Sequence, residues 1–491
     1  MDISTPTRQS LKGLVLIFLQ SVRKFIQMVW ALILVLFVQK NVFNNSQIFL
    51  IAGLIILTLL IIHSILYYST FYFYIKDGEF ILKKGYLRRK VLSIPIERIQ
   101  SVNTKQHLIQ QILDVVTLEI DTAGSSGKEL KIHALNISFA NALSEILAGK
   151  KTEAHRSEEQ LETSTSNLEK LVLRLNPLDL LKIGISQNHL LTALIVIGFA
   201  FQIFDNIQDI FKEQADRYSN EFLNYMSGSG LSIIIFMILF FLILVILISL
   251  ILTLVKYFDF KLLKRENAYR VEAGIINKRN VVLQHSKIQQ LNWVNDPLKR
   301  LFGIYKVIFK QAVSKQSKNE QVVDAPGCLK EHLVLLKSDL FGEDQFSEST
   351  KINSNPYYFQ RLWTFTGWLP ILLASPLLFN NWIFWLIAGL WLLATAGYSF
   401  LKLKKSYFKI VNEQIQVSSG AISHKWKQME LFKIQAVEFK QSFFQKRKSL
   451  ASLEIMNASG SINIPFIDQD LAKHIYDYLL YHTETSEKSW M

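Results

Sequence analysis

The chain has 491 residues, half of them hydrophobic, with 54 Lys and Arg against 40 Asp and Glu for a formal net charge of +14. The apolar residues are clumped into runs long enough to cross about 30 Å of hydrocarbon as helices, which excludes an ordinary soluble globular protein. The single cysteine, Cys328, excludes an intramolecular disulfide and suits a reducing compartment.

In chain order, the first apolar run is Phe25–Val38, shortened by Arg23 and Lys24, and the second is Ile48–Tyr68. The N-terminus lacks a small-residue cleavage site and leads directly into a second run, so the first is read as a retained anchor. Phe71–Ile75 is aromatic and β-branched, Asp77-Gly78 is a tight-turn signal, and Phe80–Leu82 makes a second strand. Val91–Ile96, Ile99–Thr104, Val115–Asp121 and Leu130–His133 read as further strands, with Thr122–Glu129 as a hairpin turn. Ser138–Leu147 has helical spacing, so the unit reads as a curved sheet of about seven strands closed by a C-terminal helix.

A charged, Ser/Thr-rich linker at Lys150–Asn167 and a short interfacial helix at Asn176–Leu181 follow. Next come the runs Leu190–Phe204 and Leu231–Val255, separated by a charged loop at 205–230, and then a second strand-rich unit ending in a helical remnant at Glu331–Leu336. A second polar linker spans Ser338–Ser354, and Asn355–Tyr358 parallels the interfacial helix. The last pair of runs is Leu362–Phe379 and Trp382–Tyr398, followed by a third unit that ends in an amphipathic helix at Asp468–Tyr481.

The three units share one line, Gly-x-[Leu/Ile]-x-x-[Lys/Arg]-x7-[Lys/Arg]-Ile-Gln, from Gly85 to Gln100, Gly274 to Gln289 and Gly420 to Gln435. Residue types match over about 40 positions without a gap, so the chain is an internal triplication. It divides into an N-terminal segment and hairpin at 1–68, a domain at 69–149, a linker with interfacial helix at 150–188, and a hairpin at 189–256. A second domain at 257–337, a linker at 338–361, a hairpin at 362–398 and a third domain at 399–491 complete it. Basic residues flank the domain side of each hairpin, whereas the tips are neutral or acidic, so both termini and all three domains are expected in the cytoplasm.

Apolar pairs followed by Gly-x-[Leu/Ile], [Lys/Arg]-Ile-Gln and Leu-x-[Ile/Phe]-x-x-Ala resemble the membrane-anchored bacterial pleckstrin-homology-like domain family. Three tandem copies look like its YdbT-type branch. The resemblance covers nearly the whole chain and implies a split β-barrel with a capping helix in each repeat. It carries no catalytic residues.

The repeated glycine reads as a backbone bend and the repeated glutamine as a sheet residue bonded to a neighbouring strand. Gly124–Lys128 lacks the spacing of a phosphate loop, and no His-x3-His pair with an acidic partner suggests a metal. No nucleophile elbow, dinucleotide fingerprint or kinase motif is present, so neither enzyme activity nor a cofactor is expected. His63, within the second run, reads as a neutral interhelical hydrogen-bonder. The cluster Lys83, Lys84, Arg88, Arg89 and Lys90 is the candidate contact for anionic phospholipid head groups, set against ordinary positive-inside charge. The second and third copies keep fewer cations there. These features favour a non-enzymatic scaffold of the cytoplasmic membrane whose domains bind membrane proteins or anionic lipid, with a role in envelope homeostasis or stress tolerance. A six-helix transporter or transporter accessory is the alternative, disfavoured by few ionisable groups in the runs and few helix breaks. A membrane anchor without a recognition motif argues against nucleic acid.

Overall fold

The structure is a computed structural model that describes residues 5–38, 46–122, 130–147, 169–210, 212–311, 322–343, 345–347, 349–378 and 382–488. The expected turn at Gly124–Lys128, the linker at Lys150–Asn167 and the tip at Asn380-Asn381 lie outside the described residues.

The first repeat contains helices α1 (Gly13–Val38) and α2 (Ser46–Ser69), then strands β1 (Tyr72–Lys76), β2 (Glu79–Lys84) and β3 (Lys90–Pro95). β4 (Ile99–His107), the short α3 (Leu108–Ile112), β5 (Val115–Thr122), β6 (Leu130–Asn136) and α4 (Ile137–Leu147) complete it. Asp77 and Gly78 both have positive φ, as expected for the tight turn between β1 and β2. Phe73, Phe80, Leu82, Leu118, Ile132 and Leu143 are fully buried between the two half-sheets and α4.

The second repeat opens with β7 (Lys170–Arg174), α5 (Pro177–Ile185), α6 (Leu190–Ile210) and α7 (Lys212–Tyr257). Pro177 starts α5 at a position that needs no backbone donor, and Asp179 accepts from the Asn176 amide. β8 (Lys261–Arg265), β9 (Ala268–Ala273), β10 (Asn277–Gln284), β11 (Ile288–Asn295), α8 (Pro297–Leu301), β12 (Tyr305–Gln311), β13 (Val322–Cys328) and α9 (Lys330–Phe341) follow. The third has β14 (Ile352–Asn353), α10 (Tyr357–Trp363), a π-helical turn at Thr364–Trp368, α11 (Leu369–Leu378) and α12 (Trp382–Lys404). It ends with β15 (Tyr407–Val411), β16 (Gln414–Ser419), β17 (His424–Glu430), β18 (Ile434–Lys440), α13 (Phe443–Lys446), β19 (Leu450–Asn457), β20 (Gly460–Asp468) and α14 (Gln469–Glu484).

Several expectations are corrected. The described residues of the charged segment at 205–230 are helical, and α7 runs unbroken for 46 residues. The second repeat ends in a full helix, α9, because Leu333 and Leu336 have a sheet to bury against. The supposed linker after it holds a buried Phe346 and the edge strand β14, which pairs with β15. Of the six expected crossings, two lie on stretches of the described residues long and apolar enough to span a membrane, Ile235–Tyr257 and Trp382–Lys404. A third counts if Pro177–Ile185 and Leu190–Gln202, bent by 75° at their break, form one span; Gly53–Ser69 is apolar but shorter.

The largest correction concerns the sheets. Among the described residues two seven-stranded sheets are present, but neither belongs to one repeat. One has the order β6-β5-β4-β10-β9-β8-β7, and the other β13-β12-β11-β17-β16-β15-β14. The second half of each domain therefore joins edge to edge with the first half of the next. Thr104 lies opposite Asn280 at the first junction, and Trp293 opposite Trp426 at the second. The two tryptophan rings stack at 6.0 Å, which extends the core of the second domain into the third. Two half-sheets are left at the ends, β1-β2-β3 and β18-β19-β20.

Because Trp293 is buried in a junction that two domains share, Trp293→Ala is expected to cost about 3–5 kcal/mol. Thr104→Ala, at the same repeat position in the first junction, should cost under about 1 kcal/mol. Denaturant unfolding of the detergent-solubilised variants measures the difference.

Candidate functional site at the glycine turns and domain junctions

Gly85, Gly274 and Gly420 have φ of +100°, +105° and +113°, and a Cβ on any of them would collide with the carbonyl oxygen of Arg88, Asn277 or Ser423 respectively. The repeated glycine thus answers a backbone demand. Each turn docks against the helix that precedes its domain. The Tyr86 ring meets His63 of α2 edge-on at 5.7 Å. The Gly274 amide donates to the Phe258 carbonyl and the Ile275 amide to that of Val255, both at the end of α7. Lys405, just past α12, donates to the carbonyls of Ala421 and Ile422.

In the first repeat this turn carries the predicted cations. The β2–β3 register sets Lys84 opposite Lys90 and Lys83 opposite Val91, so all five cations share one hairpin end. Arg88, Arg89, Lys90 and Lys83 are exposed, whereas Lys84 is half-buried and engaged with a partner. The Lys83 ammonium lies 5.4 Å from the Tyr74 ring centre. Leu87, at the apex, is 84% exposed. The structure gives a reason for the weaker basic character of the other copies. Arg279 lies opposite Lys105, and Lys425 opposite Val294, inside the junctions. What is a free edge in the first repeat is a shared one in the second and third.

The [Lys/Arg]-Ile-Gln tripeptide has a role that its sequence did not reveal. Its glutamine occupies a β-bulge in every repeat, between Ile99 and Ser101, Ile288 and Gln290, and Ile434 and Ala436. The side chain that crosses to the neighbouring domain is the preceding lysine. Lys287 donates to the Ile99 carbonyl at 2.5 Å, and Lys433 to the Ile288 carbonyl at 2.8 Å. Lys433 is also paired with Glu430 at 2.7 Å, which offsets the cost of burying its charge. Gln111 adds a bond to the Ile275 carbonyl, and His107 Nδ1 meets Asn277 Oδ1 at 2.5 Å. The sequence clue was available: a basic residue recurs at a fixed place next to a buried isoleucine, where a surface charge has no reason to recur.

Two titratable groups tie these parts together. Asp324 joins α7 to the sheet by accepting from Tyr257 at 2.6 Å and pairing with Lys306 at 2.8 Å and Lys256 at 3.4 Å. Burial alone would raise its pKa, but the ammonium groups of Lys306 and Lys256 hold it down to about 2. His424, at the second junction, stacks on Trp426 at 3.7 Å and its Nε2 lies 2.7 Å from Ser418 Oγ. Burial, with the charges of Lys405 and Arg300, pushes its pKa down to about 4. Burial also pushes the Cys328 thiol up to about 12, which keeps it protonated. His63 contacts the rings of Tyr67 and Tyr86. Among the described residues no group of three or more His, Cys, Asp or Glu is placed to hold a metal ion.

Three repeats, each divided between two half-sheets with a closing helix and each preceded by apolar helices, define a tandem PH-like membrane protein. A family profile described as Bacterial PH domain matches residues 16–151, 223–331 and 367–483, and the chain belongs to that family. It is also 25% identical over 421 residues, covering 82% of each chain, to the "UPF0699 transmembrane protein YdbT" of Bacillus subtilis (strain 168). No solved structure matches it.

The unfolded chain protonates His424 near pH 6.5, whereas the folded chain resists until about pH 4. Acidification through that window therefore favours unfolding. Melting temperatures should fall between pH 7 and pH 5, and His424→Gln should flatten that part of the profile.

Proposed function

We propose that this protein is a non-enzymatic scaffold of the bacterial cytoplasmic membrane. In this reading three helical hairpins hold a rigid row of PH-like domains against the inner leaflet, and the glycine turn of the first domain contacts anionic lipid. The observation that carries the reading is that turn: Leu87 exposed at its apex, four exposed cations around it, and Tyr86 packed on His63 of α2. Each cation near an anionic surface gains about 1 kcal/mol, and an apolar tip adds burial at the head-group boundary. Strand pairing between the domains supports a scaffold, since sheet junctions fix spacing where a polar linker would not. The basic residues beside the helices, among them Arg8, Lys12, Lys256, Lys402 and Lys404, support a cytoplasmic position for the domains.

Native mass spectrometry of the protein released from mixed phosphatidylcholine and phosphatidylglycerol nanodiscs tests the lipid contact. The wild type should retain phosphatidylglycerol preferentially, and Arg88→Glu with Arg89→Glu and Lys90→Glu should lose most of that preference. Unchanged retention would reduce the cluster to a topology signal. Orientation is checked separately in whole cells with a membrane-impermeant maleimide. Asn380→Cys should label in intact cells, and Leu87→Cys only after permeabilisation.

A further inference from the structure

The two internal junctions repeat a single operation. In each, the strand that begins at the [Lys/Arg]-Ile-Gln isoleucine pairs antiparallel with the strand that follows the next domain's glycine turn. The register is the same in both: Thr104 opposite Asn280 and Trp293 opposite Trp426 are equivalent positions when the motifs are superposed. The lysine staple also repeats, from Lys287 to the Ile99 carbonyl and from Lys433 to the Ile288 carbonyl.

Both halves of a third such junction are left over. β3 ends one outer half-sheet and β18 ends the other, and no described strand pairs with the open edge of either. Their residues are equipped for partners. Gln289, Gln290 and Asn292 of β11 are buried, whereas their counterparts Gln435, Ala436 and Glu438 of β18 are exposed. Val91 of β3 is 60% exposed on a strand paired along one edge only, an arrangement that leaves the other edge open to a partner. The shared register sets Phe439 opposite Val91, where the second junction has its tryptophan pair. It also sets Lys440 opposite Lys90, a like-charge pair with a precedent. At the first junction Lys105 faces Arg279, and Lys105 is paired with Glu119 at 2.7 Å. Lys440 has the counterpart of that pair in Glu454, together with Glu438 at 3.0 Å. The unused staple is present as well: Arg98 is exposed and occupies the position of Lys287 and Lys433.

We propose that these edges close on each other between copies of the chain. β18 of one molecule pairs antiparallel with β3 of the next, Phe439 packs on Val91, and Arg98 reaches the Ile434 carbonyl. The contact is heterologous, so the copies assemble head to tail into a ring or an open row. It rests on the strand edges and not on the lipid contact proposed above; where the edge closes, Lys90 faces Lys440, and the lipid contact falls to Lys83, Arg88 and Arg89.

The test co-expresses two differently tagged full-length chains, one with Val91→Cys and the other with Phe439→Cys, and oxidises the membranes. Directly opposed residues of antiparallel strands lie about 4.5–5.5 Å apart at Cα, within disulfide reach. Protonated, fully buried Cys328 should not compete. Thr104→Cys with Asn280→Cys in one chain is the positive control for the same register. A mixed-tag disulfide dimer at least ten-fold above that of either single variant supports the proposal. Homotypic Val91→Cys dimers of equal yield, or no dimer while the control pair closes, would overturn it. Native mass spectrometry gives a second reading: the wild type should exceed one chain, and Val91→Lys with Phe439→Lys should be a folded single chain. A wild type that remains a single chain at every concentration refutes the assembly.

Discussion

The architecture depends on hydrogen bonding between strands of different repeats. A β-strand with one unpaired edge leaves a row of amides and carbonyls that must find partners or remain in water. Here the partners come from the next domain. Because the edge satisfied in one domain belongs structurally to its neighbour, the three domains form one continuous body, and the lysine staples and tryptophan stack reinforce pairing that the backbone has already set.

That arrangement gives the glycine turns their different fates. All three need the same backbone conformation and dock against the helix that precedes their domain, but two border a junction and one does not. The open turn carries the larger group of cations and the most exposed apex, Leu87 against Ile276 and Ile422. Position in the row, rather than a change in fold, distinguishes the domain with the freest surface.

Much of this was legible in the sequence. The triplication, the helix pairs, the Asp77-Gly78 turn and the bend at each glycine follow from local patterning and backbone sterics. What local pattern could not supply was the grouping of strands. A period-two stretch such as Ile288–Asn295 declares that it is a strand but not which strand lies beside it, and nothing in Gln289, Gln290 and Asn292 says that a strand of the next domain buries them. The charged segment at 205–230 was misread for a related reason. Acidic and basic residues outside hydrocarbon are compatible with a continuing helix as well as with a loop, and the 46-residue α7 takes the former course. For the candidate site, the cations were visible in the sequence, whereas the reason they are concentrated in one repeat lay in the junctions.

Shared sheets also impose an order in time. Thr104 pairs with Asn280, 176 positions later, and helices α6 and α7 lie between them in the chain. During synthesis the first domain must therefore wait, with β4 uncovered, until the ribosome has delivered the second hairpin and the strands beyond it. The same wait recurs between β11 and β17. Maturation of each domain is coupled to successful insertion of the next helices, so a stalled or mis-inserted hairpin leaves the preceding domain recognisably unfinished to the cell's quality-control machinery.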